Sequence, residues 1–151
     1  MGSSLPNREQ KPVAEVLIRE RVQHWASAIS ARDIESVMSL YSPDIVSFDL
    51  DPPLRYAGAI HKRRAWEQFF SVFQEVSYDV TELSITAGAE TAFVHSLNHV
   101  KGRLANGHVD ELWVRWTACF FRANAEWLIS HDHASVPVDA AHGRAVLNLE
   151  P

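Results

Sequence analysis

Residues 109–122 read VDELWVRWTACFFR, and the fold turns on how this run is taken. As a strand it places Trp113, Cys119 and Phe121 on one side and Val114, Trp116, Ala118 and Phe120 on the other. Both sides are apolar, so both need a cover. Working outward, residues 76–86, 91–101 and 127–135 carry similar period-two runs. The turn signals between them are Ala87-Gly88-Ala89-Glu90, Asn106-Gly107 and Ala123-Asn124-Ala125. Connections this short join antiparallel neighbours, since a parallel crossover needs a dozen or more residues.

Upstream the period is helical. Val13, Leu17, Ile18, Val22, Trp25, Ala28 and Ile29 form one stripe. Asp33 is a plausible N-cap for a second helix bearing Ile34, Val37, Met38 and Tyr41. Residues 45–48 are β-prone, and 49–58 form a loop. A third helix from about Lys62 to Phe73 presents Trp66, Phe69, Phe70 and Phe73. Helices first and a meander after them predict an α+β domain. Three N-terminal helices packed on an antiparallel sheet are expected. Residues 1–12 read as a flexible lead-in, 13–137 as the domain and 138–151 as a tail. The helices cover one sheet face, and a second copy of the chain is the simplest cover for the other, so a homodimer through the sheet is expected.

The 151 residues are 46% hydrophobic and 22% charged, with a formal net charge of −5. An acidic chain suits phosphate backbones poorly, so nucleic acid is not an expected partner. The basic run His61-Lys62-Arg63-Arg64 reads as the solvated start of a helix. The single Cys119 rules out an intrachain disulfide and leaves no thiol pair for a zinc knuckle. No window resembles a signal peptide or a membrane span, so the expected setting is cytoplasmic and away from membranes. Gly-rich phosphate loops, a Ser-His-Asp order and a dinucleotide fingerprint are all missing, so no cofactor is expected.

The motifs Trp25-x-x-Ala28-x4-Asp33, Leu40-Tyr41-Ser42-Pro43-Asp44-Ile45-Val46-Ser47-Phe48-Asp49, Gly58 before the third helix, and Trp127-x-x-x-His131-x-His133-x-Ser135-x-Pro137 occur in that order. Over residues 13–137 this resembles the nuclear transport factor 2-like superfamily, and within it the SnoaL-like and ketosteroid-isomerase-like proteins. The resemblance implies a cone-shaped α+β barrel, three N-terminal helices packed on a curved antiparallel sheet of four to six strands that encloses a small-molecule pocket. Beside ketosteroid isomerase, Asp49 falls where that family has its general-base aspartate. Trp25 falls at the oxyanion-hole tyrosine, and Thr117 at a protonated acid donor. Asp49 matches and the two donors do not, which argues against steroid isomerisation as such.

The resemblance turns the parity of His95, Leu97 and His99 toward the pocket, with Arg115, Thr117 and Trp66 as further contacts. Asp49 in a dry pocket would serve as a base, or else opens the turn Asp49–Pro53. His95 and His99 stand about 13 Å apart along a strand, too far to share a metal. Each is an acid, a base or an orienting donor, or simply a satisfied histidine. His131 and His133, about 7 Å apart, could hold a metal only with a third ligand such as Glu111 or His99, and packing at the rim is the plainer reading, so no metal is expected. Asp132 points oppositely, and the resemblance makes its face the pocket side, near Asp49 or the strand histidines. Arg115 within an apolar strand demands a carboxylate, Glu111 or Asp132, or an anionic ligand. Two functions follow. One is a cofactor-free acid–base isomerase, cyclase or hydratase on a small, largely apolar substrate, with Asp49 as base and His95, His99 or Asp132 as its partner. The other is a non-catalytic ligand-binding or oligomerisation module, as in the similar association domain of calcium/calmodulin-dependent kinase II. The final strand is also loosely similar to iota-class carbonic anhydrases.

Overall fold

A computed structural model describes residues 10–151. In chain order the elements are α1 (Gln10–Ser30), α2 (Ile34–Met38), β1 (Tyr41–Phe48), β2 (Tyr56–Ala57), α3 (Ala59–Val72), β3 (Phe73–Ala87), β4 (Thr91–Leu104), β5 (Val109–Ala123), β6 (Glu126–Ser135), β7 (Val138–Asp139) and β8 (Arg144–Ala145). Residues 10–12, expected as part of a flexible lead-in over 1–12, already belong to the first helix, and residues 1–9 lie outside the described part.

The meander is as expected: β3, β4, β5 and β6 pair in succession, all antiparallel. The full order is β2-β1-β6-β5-β4-β3. One part of the expectation is corrected: β1 runs parallel to β6, so the sheet is mixed. Helix α3 and the first three strands of the meander lie between these two strands, ample chain for a parallel return. β2 and β3 stay as separate edges, so the sheet curls without closing. A register shift between Thr81 and Ser84, with Glu82 at φ 51°, marks a bulge of the kind that bends a strand. Tyr41 belongs to β1 and not to the second helix, which stops at Met38.

The helical stripe of α1 seals one face of the sheet. Ile18, Val22, Trp25 and Ile29 are all buried there. Asp33 caps α2 by accepting from the Ser36 backbone N–H at 3.2 Å. Arg32 donates to the Phe70 carbonyl at 2.6 Å, and Ser30 Oγ accepts from the Tyr78 N–H at 2.9 Å. These bonds lash the turn after α1 to α3 and β3. On β4 the side under the helices carries Val94, Ser96, Asn98 and Val100, and on β5 Val114, Trp116, Ala118 and Phe120. Among the described residues, no helix is long and apolar enough to cross a membrane.

Candidate functional site

Between α1, α3 and the covered sheet face lies a cavity of about 630 Å³. Its walls are aromatic, from Trp25, Trp66, Phe69, Tyr78 and Trp116. Trp25 stacks on Trp116 at 4.8 Å between ring centroids and meets Trp66 and Tyr78 edge-on. Strand β1 brings Ser47 inward, and its end brings Asp49 to the wall. Adjacent β6 brings Asp132 beside Ser47 in register.

The first turn of α3 supplies what the sequence reading missed. Lys62 is buried at 2% exposure, correcting its assignment to a solvated helix start. Its ammonium donates to Asp49 Oδ2 at 2.8 Å and to Ser47 Oγ at 2.9 Å, and lies 3.7 Å from Asp132 Oδ2. It also sits 5.6 Å from the Tyr41 ring centroid and 5.7 Å from that of Trp66. Asp132 accepts from Ser47 Oγ and, at 3.4 Å, from Trp116 Nε1. Burial alone would lower the lysine pKa, but Asp132 and Asp49 together hold it above the ordinary value of 10.5. Lys62 is thus a fixed cation between two carboxylates. The signal for it was its position one helical turn before Trp66, on the stripe that faces the sheet; the flanking basic residues masked that.

Four expected residues gather at the cavity: Asp49, Asp132, Trp25 and Trp66. Five do not. His95, Leu97, His99, Arg115 and Thr117 occupy the opposite face of the sheet, in register with one another as His95↔Thr117 and Leu97↔Arg115. The physical reason is burial: the helices cover the Val94–Asn98 parity, so its neighbours turn outward. Pairing also links Thr117 to His133 and Ala118 to Asp132, so His95 and Asp132 could not share a face. His99 Nε2 instead pairs with Glu111 at 2.6 Å, and the ring lies on Trp113. Arg115 is exposed, donates to Ser135 Oγ at 3.1 Å, and needs no buried anion. His131 Nδ1 is 2.7 Å from the Val46 carbonyl, and both His131 and His133 pack against Phe48. Trp25 Nε1, expected as a donor, is buried without a hydrogen-bond partner among the described residues.

The solved structure of a nuclear transport factor 2-like protein of unknown function from Pseudomonas putida superposes with a TM-score of 0.85 at 26% identity, covering 93% of this chain and 98% of that one. A candidate dehydratase of the same family from Streptomyces avermitilis gives 0.76 at 17% identity, over 86% and 99%. A candidate scytalone dehydratase from Novosphingobium aromaticivorans gives 0.75 at 15%, over 92% and 95%. The last two likenesses speak for the fold alone. No curated protein matches the sequence. The family model described as a SnoaL-like domain matches residues 18–139, most of the chain and every strand that builds the cavity, and the chain belongs to that family.

Proposed function

We propose that this protein is a cofactor-free enzyme that moves a proton on a small, largely apolar molecule, in an isomerisation, cyclisation or hydration–dehydration, with Asp49 as the base. The observation that carries this reading is the asymmetry of the buried charged group. All three border the cavity, but the side chains of Lys62 and Asp132 are only 3% and 4% exposed, whereas that of Asp49 is 26% exposed. Asp49 Oδ2 is held by the ammonium, and Oδ1 has no hydrogen-bond partner among the described residues. A carboxylate oriented by one oxygen and open at the other can take a proton from a bound carbon acid. Lys62 keeps its own proton and acts as an orienting charge, itself fixed by Ser47 and Asp132. The expected effect of Asp49→Asn is a loss of about 10²–10⁴-fold in turnover of a substrate found by screening flat hydroxy-ketones and enones. Unchanged turnover would remove Asp49 from the mechanism.

We propose further that two copies of the chain pair through the open face of the sheet. The uncovered sheet face presents Phe93 at 48% exposure together with Leu97 and Trp113. If copies associate there, Phe93→Glu shifts the sedimentation coefficient from dimer to monomer without changing the far-ultraviolet spectrum. A variant and parent of equal mass in solution would reject the sheet as the interface.

A further inference from the structure

The charges that line the cavity do not cancel. Asp132, Lys62 and Asp49 form a row of alternating sign that begins and ends on a carboxylate, with the ammonium 3.7 Å from Asp132 Oδ2 and 2.8 Å from Asp49 Oδ2. Asp132 also accepts from Ser47 and Trp116, whereas Asp49 has only the ammonium, so the surplus negative charge lies at the Asp49 end. Asp51, in the loop after β1, adds a further carboxylate, and among the described residues Lys62 is the only basic one in the lining. Its neighbour Arg63 is paired instead with Glu35 and Glu67. Asp49 is partly exposed, so water reaches its charge. A ligand that fills the cavity displaces that water, and a carboxylate stripped of solvent without a counter-charge is costly. A neutral ligand binds against that cost, an anion adds repulsion to it, and a cation offsets it.

The wall favours the same class of ligand. Trp25, Trp66, Phe69, Tyr78 and Trp116 present aromatic surface, and organic cations are attracted to ring faces more strongly where water is excluded. Lys62 itself lies over the Tyr41 and Trp66 rings. Apolar walls also focus the field of the surplus charge into the cavity. We propose that the cavity is selective for organic cations. Its ligand is a small, largely apolar molecule with one positive nitrogen that carries no hydrogen, a quaternary ammonium or an N-alkyl iminium, set against Asp49 Oδ1. The lack of an N–H rests on Asp49 being the base, whereas the preference for a cation rests on charge and aromatic surface alone. A nitrogen with an N–H would donate to Oδ1 and occupy it. A nitrogen without one meets the carboxylate through the C–H bonds beside the charge, and the same charge makes those bonds more acidic. Within the substrate screen, compounds bearing such a nitrogen come first.

The probes are phenyltrimethylammonium, its uncharged counterpart of the same shape, tert-butylbenzene, and the anion benzenesulfonate, each titrated while tryptophan fluorescence is followed. The parent protein is expected to bind the cation about tenfold or more tighter than benzenesulfonate, and to lose part of that margin at high salt. Asp49→Asn is expected to weaken the cation about tenfold or more and to leave tert-butylbenzene bound as tightly as in the parent or more tightly. Should Asp49→Asn fail to fold, Asp49→Ser carries the same expectation, because Lys62 and Asp132 still face each other. No saturable change with the cation, benzenesulfonate bound as tightly as the cation, or equal weakening of the cation and tert-butylbenzene in the variant would each overturn the proposal. A cation preference that Asp49→Asn abolishes, with turnover of a substrate unchanged in that variant, removes Asp49 as the base and leaves the cation site standing. Turnover lost in the variant without any cation preference in the parent does the reverse.

Discussion

The two faces of the sheet are built from alternate residues of the same strands, yet they treat polar groups in opposite ways. On the covered face Ser47, Ser96, Asn98 and Asp132 are buried, and each is hydrogen-bonded to a neighbour. On the open face His99, Arg115 and His131 find partners that water could replace. The difference teaches that residue chemistry alone does not locate this site. Histidines and an arginine look more catalytic than serine and asparagine, but the helix layer decides which set meets the cavity. A polar group sealed beneath that layer must be paired or lose roughly 1–3 kcal/mol, whereas the same group outside loses little.

The contrast is sharpest at Lys62. Lys62→Met leaves Asp132 buried beside a methyl group, so a loss of about 3–5 kcal/mol is expected from urea unfolding at pH 7. Adding Asp132→Asn to that variant is expected to recover part of the loss, because the orphaned charge goes too. The pH dependence has a definite sign. A folded-state lysine held above 10.5 contributes stability that is fully present below that value and lost as pH rises through the folded-state pKa. The parent should therefore lose stability above about pH 10.5 more steeply than Lys62→Met. A variant that matches the parent in both midpoint and alkaline slope would mean the ion group contributes nothing to folding.

Gly102 tests packing on the same face. A Cβ there would lie 2.7 Å from Cε1 of Phe73, where α3 runs straight into β3. Gly102→Ala is expected to cost about 1–3 kcal/mol and to move Phe73, which borders the cavity. Thermal unfolding within a degree of the parent would show that the ring gives way freely.

How much of this was legible in the sequence divides along the same line. The meander was plain in its turn dipeptides and period-two runs, and Asp49 stood out at the end of a short strand. Asp132 borders the cavity, but only the family resemblance, and no pattern in the strand, points to that side. The parity of β4 and β5 was not readable, because Val114, Trp116 and Phe120 on one face are matched by Trp113, Cys119 and Phe121 on the other. Periodicity reports a face only when one side is polar. Lys62 was hidden for a different reason: a basic residue among basic residues carries no local sign of the two carboxylates that reach it from β1 and β6. The parallel placement of β1 against β6 creates that meeting, and it is a fact of topology that no local pattern encodes.

The smallest expected effects belong to the open face. His99 is paired with Glu111 and lies near Asp79 at 4.0 Å, and their side chains are 22%, 51% and 63% exposed. Water and salt screen such pairs, so His99→Ala should change stability by about 0–1 kcal/mol, and less in 0.5 M salt. Arg115→Ala, which gives up one hydrogen bond to Ser135, belongs in the same range. Both variants should leave turnover of a substrate that depends on Asp49 unchanged, because the sheet stands between them and Asp49. A loss of turnover in either one, with folding intact, would show that the open face reaches the chemistry, and the division between the two faces would fail at that residue.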